Sequence, residues 1–130
     1  MPPLESRGRL IAPDLIGMGD SDKLNNSALG SYQFEEQADF LDKFLECVGV
    51  TENIILVLHD WGSGLGFNWA FNNQEAVKGI VYMEAMVAPF EWDDFNAEYQ
   101  QYLMAVRTPD VGETLVLEQN IMIESLGGNI

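Results

Sequence analysis

Apolar residues recur along the chain in blocks whose spacing alternates between helical and strand-like. Residues 34–48 place apolar side chains mostly three and four apart, which predicts an amphipathic helix that ends at Gly49. The compact run 54–58 is rich in β-branched residues and is typical of a strand buried on both faces. Residues 62–71 predict a buried helix, and 78–83 predict the next strand.

The pattern differs at the two ends of the chain. Residues 9–12 form a short apolar run stopped by Pro13, which predicts a strand followed by a long loop. Strands separated by helices indicate a parallel sheet. After Pro89, the segments 92–106 and 112–126 are rich in methionine and aromatic residues and predict helices with no strand behind them. These helices are either a lid over the sheet or ordinary packing helices, because periodicity does not locate a helix in space.

Composition narrows the possible partners. The chain has 130 residues and a net charge of −15, which argues against nucleic acid or an anionic membrane surface as a partner. No apolar run approaches the ~20 residues that cross a bilayer, and the N-terminus lacks the pattern of a signal peptide. The single cysteine, Cys47, is expected to be a buried structural thiol, and one Cys with one His makes no zinc cluster. We therefore predict a cytoplasmic protein without metal or cofactor.

Candidate chemistry concentrates in ILVLHDWGSGLGFN, residues 55–68, where an apolar strand meets a glycine-rich helix start. A strand-turn-helix corner holds its side chain above the sheet edge, and here that residue is Asp60. A carboxylate that attacks an alkyl carbon forms an ester, which water must then cleave with the help of a base. The following Trp61 offers an indole N–H to an anionic leaving group. The alternative roles are helix capping for Asp60 and core packing for Trp61.

A second carboxylate belongs to the same candidate site. Glu84 follows a strand, and the carboxyl ends of parallel strands meet at one rim, so Glu84 is expected beside Asp60 and suited to orient a histidine. His59 is the only histidine. Because side chains alternate along a strand, it should point away from Asp60, and we expect it to be a packed or hydrogen-bonded structural residue and not the base.

Three segments, residues 9–23, 57–70 and 78–95, resemble the haloalkane dehalogenases and their relatives, the coelenterazine-using luciferases. The resemblance implies an α/β protein with a partial α/β-hydrolase core, residues 1–88, followed by a partial helical cap, residues 89–130. It implies a small halogenated alkane as substrate. It also implies a role for each of seven residues: Asp60 as the nucleophile, Glu84 as the acid that supports a histidine, Trp61 as the halide donor, and Phe95, Tyr102, Leu103 and Met122 as the pocket lining.

The resemblance is to an internal segment of that family. The family's His-Gly-Asn-Pro segment and its catalytic histidine have no counterpart in these 130 residues. We therefore expect little turnover from the isolated chain, and possible self-association through exposed sheet edges. An epoxide hydrolase, a luciferase-type oxygenase and a non-catalytic fragment are the alternatives. Glu84 favours the dehalogenases over the epoxide hydrolases, whereas a luciferase would keep the same residues.

Overall fold

The computed structural model describes residues 2–25 and 30–127, which divide into two compact units, Met1–Val87 and Ala88–Ile130. The principal elements of the first unit are helix α1 (Phe34–Cys47), strand β1 (Ile54–Asp60), helix α2 (Trp61–Asn72) and strand β2 (Val77–Ala85). A 3-10 helix, Pro2–Arg7, precedes them, and another, Gln74–Ala76, joins α2 to β2. No helix among the described residues is long and apolar enough to cross a membrane.

Strands β1 and β2 pair in parallel, from Ile55 beside Gly79 to His59 beside Met83. Helix α2 packs on both strands, and α1 packs on α2. The core lies between α2 and the sheet, where a Cβ on Gly66 would come within 2.2 Å of Leu58 Cδ2. Only glycine permits so close an approach of this helix to β1. The buried apolar residues of this core are Leu58, Leu65, Trp69 and Ala70.

Helix α1 ends where the sequence predicts. Gly49 adopts a φ of 69°, and its N–H donates to Glu46 O. The N–H of Val50 then reaches back to Leu45 O at 2.9 Å. This pair of bonds is a Schellman motif, in which a left-handed residue satisfies the last carbonyls of a helix.

The predicted strand at residues 9–12 is wrong, because this run is irregular in the structure. At its start, the Arg9 guanidinium donates from Nη1 to Val48 O at 2.6 Å, at the carboxyl end of α1. A strand exists only with a hydrogen-bonded neighbour, and the described sheet consists of β1 and β2 alone. The apolar run 9–12 therefore has the composition of a strand, but no described strand pairs with it.

The prediction that β1 is buried on both faces is also wrong. Leu56 and Leu58 face inward, whereas Ile55 and Val57 are exposed. Helix α2 covers one face of the sheet, so the alternating side chains of β1 divide between a covered and a bare face. Val81, beside Val57, is exposed too. This face is apolar, and self-association through the sheet stays a prediction.

Cys47 is exposed, contrary to the expectation of a buried thiol. The covered residues of α1 form groups that recur three or four positions apart. Cys47 is the last residue of α1, and it is exposed together with its neighbour Glu46. The covered residues of α1 and its C-cap are Phe34, Glu36, Gln37, Ala38, Leu41, Phe44, Leu45 and Val48.

The second unit is helical but more broken than predicted. The segment 92–106 divides into a 3-10 turn, Trp92–Asp94, and helix α3, Ala97–Val106. The break occurs because Asn96 caps α3, its Oδ1 accepting from the Tyr99 N–H at 2.8 Å. The segment 112–126 likewise divides into α4 (Val111–Glu113), a π-helical turn (Thr114–Glu118) and α5 (Ile121–Gly127).

Candidate active site

Asp60 occupies a strained corner between β1 and α2. Its φ of 47° and ψ of −127° lie outside the regions that ordinary residues favour. Its side chain makes no cap hydrogen bond to α2, so the alternative role as a helix cap does not hold. Within the described residues its carboxylate has no hydrogen-bond or ion-pair partner, and the residue is exposed. The corner therefore presents a free carboxylate to solvent.

Ser63 holds this corner in place. It is completely buried, with 0% of its surface exposed. Its Oγ donates to Asp60 O at 2.5 Å and accepts from the Met86 N–H at 2.9 Å. One hydroxyl thus links the backbone of the candidate nucleophile to the segment that follows β2. Sequence reasoning missed Ser63, although a hydroxyl inside a run of glycine and apolar residues is an unusual signal.

Glu84 lies at the same end of the sheet, in a bulge of β2. The pairing moves from His59 beside Met83 to Asp60 beside Ala85, which skips Glu84. Glu84 has a φ of 46°, so the two candidate carboxylates are both left-handed residues. A bulge re-aims a side chain out of the strand alternation. The Glu84 carboxylate consequently meets the ring of His59, with 2.7 Å between Oε2 and Nε2.

Trp61 is the first residue of α2 and is 64% exposed. Core packing, its alternative role, is therefore not what the structure shows. Within the described residues its indole nitrogen has no hydrogen-bond partner. An indole N–H with nothing to donate to is chemically suited to receive an anion.

The remaining candidates belong to the second unit. Phe95 is half-buried and lies in an aromatic cluster with Phe90 and Tyr99, at ring-centroid distances of 5.9 and 5.4 Å. Tyr102 stacks on Tyr99 at 5.9 Å. Leu103 is half-buried on α3, and Met122 on α5 is exposed. Their role as pocket lining stays a prediction.

Comparison with known proteins places the fold. The family model described as alpha/beta hydrolase fold matches residues 1–115, which is most of the chain. The chain belongs to the alpha/beta hydrolase fold family. The predicted fold class is therefore confirmed, with parallel strands flanked by helices as the structural basis. A family member of this fold carries its nucleophile at the corner where Asp60 lies.

Several haloalkane dehalogenases are similar to this chain in sequence, as its motifs predict. The enzyme of Sphingobium indicum is 47% identical over 126 residues, which is 97% of this chain and 42% of the relative. That of Mycolicibacterium smegmatis is 46% identical, and the match covers 40% of it. The chain thus spans about 40% of the length of these alpha/beta hydrolase relatives.

Solved structures agree with this placement. Haloalkane dehalogenase DbeA from Bradyrhizobium elkani superposes with a TM-score of 0.71 at 35% identity. This match covers 88% of the present chain and 38% of DbeA. A putative ancestral haloalkane dehalogenase matches equally well, with a TM-score of 0.71 and 35% identity. The resemblance to part of a haloalkane dehalogenase is thereby confirmed.

Proposed function

We propose that this chain carries the nucleophile half of a haloalkane dehalogenase site, with small halogenated alkanes as substrates. Asp60 attacks the carbon that bears the halogen. An ester bond forms between that carbon and the carboxylate, the carbon–halogen bond breaks, and the halide leaves with the electron pair. Trp61 donates its indole N–H to the departing halide.

The observation that carries this proposal is the geometry of the Asp60 corner. A strained φ of 47° is maintained although the side chain makes no cap bond. Backbone strain at a residue whose side chain makes no cap bond is typical of functional sites. The Sphingobium and Mycolicibacterium relatives are named for carbon–halogen chemistry, which supports an alkyl and not an acyl target.

The proposed site also includes a second carboxylate, Glu84, and an apolar pocket for the substrate. Glu84 is suited to orient a histidine that activates water for ester cleavage, although these 130 residues contain no histidine in that role. Residues 89–130 form the cap, and its side chains Phe95, Tyr102, Leu103 and Met122 line the apolar pocket. The aromatic cluster around Phe95 supports this assignment, because a halogenated alkane needs apolar surroundings.

For the isolated chain we expect ester formation without sustained turnover. The only histidine of the sequence, His59, is bound to Glu84 and does not contact the Asp60 carboxylate. Alkylation itself should be slow, because an exposed and hydrated carboxylate is a weaker nucleophile than one in a dry pocket.

The test is to incubate the purified chain with 1-bromobutane and to follow bromide release together with peptide mass spectrometry. We expect a butyl adduct on Asp60 and about one bromide per adduct. Asp60→Asn should abolish both. Asp110→Asn is the matched control, because Asp110 is another left-handed aspartate, with a φ of 65°, in the second unit. A chain without an Asp60 adduct contradicts the proposal, and continuous bromide release contradicts the expected arrest at the ester.

A further inference from the structure

The bulge at Glu84 explains why this residue reaches His59. In regular pairing, Glu84 would lie beside Asp60 and point to the same face of the sheet. The observed pairing gives that place to Ala85 and leaves Glu84 out of register with a φ of 46°. Its carboxylate therefore swings toward the bare face, where His59 and Met83 lie side by side.

The contact between the two side chains is direct and charge-assisted. His59 Nε2 lies 2.7 Å from Glu84 Oε2. An ionised carboxylate only accepts hydrogen bonds, so Nε2 carries the proton and donates it. The side chains of His59 and Glu84 are 59% and 84% exposed. No other described residue forms a hydrogen bond with the Glu84 carboxylate.

We propose that His59 is a positioning residue for Glu84, whose carboxylate its imidazole holds at the rim beside the Asp60 corner. A glutamate side chain this exposed otherwise samples several staggered rotamers. The backbone bulge sets the direction of the side chain, and the imidazole selects one orientation of its end. The importance of that orientation for dehalogenation rests on the proposed function, whereas the contact itself does not.

The uniqueness of the histidine makes the contact measurable. His59 is the only histidine in the sequence, so diethyl pyrocarbonate gives a single N-carbethoxyhistidine absorbance signal. An unprotonated ring nitrogen attacks the reagent, and the bond to Glu84 keeps the proton on Nε2, so that only Nδ1, the nitrogen nearer the backbone, is available for attack. We expect Glu84→Gln to raise the modification rate roughly twofold, because it removes the charge of an exposed pair and leaves only a weaker, neutral acceptor. Glu75→Gln, which removes the same charge from an exposed glutamate before β2, should leave the rate unchanged.

A second measurement reads the contact from the carboxylate side. Carbodiimide coupling with glycine methyl ester labels accessible carboxylates, and peptide mass spectrometry reports each one separately. His59→Ala should increase labelling of Glu84 by about the same factor. His59→Gln should restore protection, because the glutamine amide offers a donor near the position of Nε2. Labelling of Glu75 in the same spectra is the internal control.

The two measurements separate this inference from the proposed function. Unchanged His59 modification in Glu84→Gln, or equal Glu84 labelling in His59→Ala and His59→Gln, overturns the positioning role. A general loss of structure raises the labelling of Glu75 as well as Glu84 and also contradicts it. If Asp60 is not alkylated while Glu84→Gln unmasks His59, the dehalogenase proposal fails and the contact stands. If Asp60 is alkylated and Glu84→Gln leaves the modification rate of His59 unchanged, the dehalogenase proposal stands and the positioning role of His59 fails.

Discussion

Helix α2 carries two tryptophans, about two turns apart, that have opposite surroundings. Trp69 is 6% exposed and donates its indole N–H to Asp42 Oδ1 of α1 at 3.1 Å. Trp61 is 64% exposed, and its indole finds no hydrogen-bond partner within the described residues. One side chain joins two helices, and the other stands at the helix start beside the strained corner.

The difference shows that position on the helix, and not residue type, decides what an indole does. The body of α2 lies against β1 and α1, so Trp69 is enclosed and its N–H must be paired there. The first turn of α2 projects beyond the strand end, where no described element of the first unit covers Trp61. A donor that remains unpaired at a strained corner is available for a ligand. The same helix therefore contains a stabilising end and a candidate binding end.

The largest expected difference between the two tryptophans is in their contribution to the free energy of unfolding. Trp69→Ala should lower the free energy of unfolding by about 3–5 kcal/mol, because it removes a buried aromatic side chain and leaves a cavity. Trp61→Ala should change it by no more than about 0.5 kcal/mol, as expected for an exposed site. Urea unfolding followed by circular dichroism measures both. Equal losses from the two variants would mean that Trp61 belongs to the core.

A smaller effect is expected from Ser63, which ties the Asp60 corner to the segment that follows β2. Ser63→Ala should lower the free energy of unfolding by about 1 kcal/mol, because the Met86 N–H loses its acceptor but is only half-buried and can regain water. Hydrogen exchange at the Met86 amide should accelerate as well. Ser21→Ala serves as the control, since Ser21 Oγ donates to Asp14 O in an exposed loop. Unchanged exchange at Met86 would argue that the hydroxyl does not secure this segment.

The smallest expected change in stability, and the sharpest test of binding, concerns Trp61 alone. Trp61→Phe should alter the free energy of unfolding by less than about 0.5 kcal/mol. It should nevertheless remove saturable bromide quenching of tryptophan fluorescence, because both the indole that reports a nearby halide and its N–H donor are lost. Trp92→Phe in the second unit is the matched control and should retain the quenching. Saturable quenching that survives in Trp61→Phe would place the halide elsewhere.

The elements of the first unit were largely predictable from local patterns. Helix α1, both strands and α2 agree with their spacing, because the alternation of apolar and polar residues encodes which face is covered. Burial was less predictable. The apolar run of β1 suggested two covered faces, yet Ile55 and Val57 are exposed because coverage depends on which other elements pack against the strand. For the same reason the run at residues 9–12 has strand character without being a strand.

The candidate site was predictable in its residue types but not in its contacts. The corner residue Asp60 and the later Glu84 follow from strand ends that can be seen in the sequence. The link from Ser63 to Met86 joins residues 23 positions apart, and no local pattern announces it. The meeting of His59 with Glu84 depends on a skipped residue in the strand pairing, which requires both strands to be in place. The expectation of a hydrogen-bonded His59 named its environment but not its partner.

The sequence by itself determined that this chain is a parallel α/β protein related to the haloalkane dehalogenases, and that an aspartate, not a serine, occupies the corner between β1 and α2. These conclusions depend on residue identity and on short-range periodicity, which are properties of the chain alone. Only the tertiary structure decided that the Asp60 side chain makes no cap hydrogen bond and that Trp61 is exposed while Trp69 is buried. It also decided that the Glu84 carboxylate bonds the ring of His59. Each of these depends on distances between residues far apart in sequence, which exist only when helix and strands are packed together.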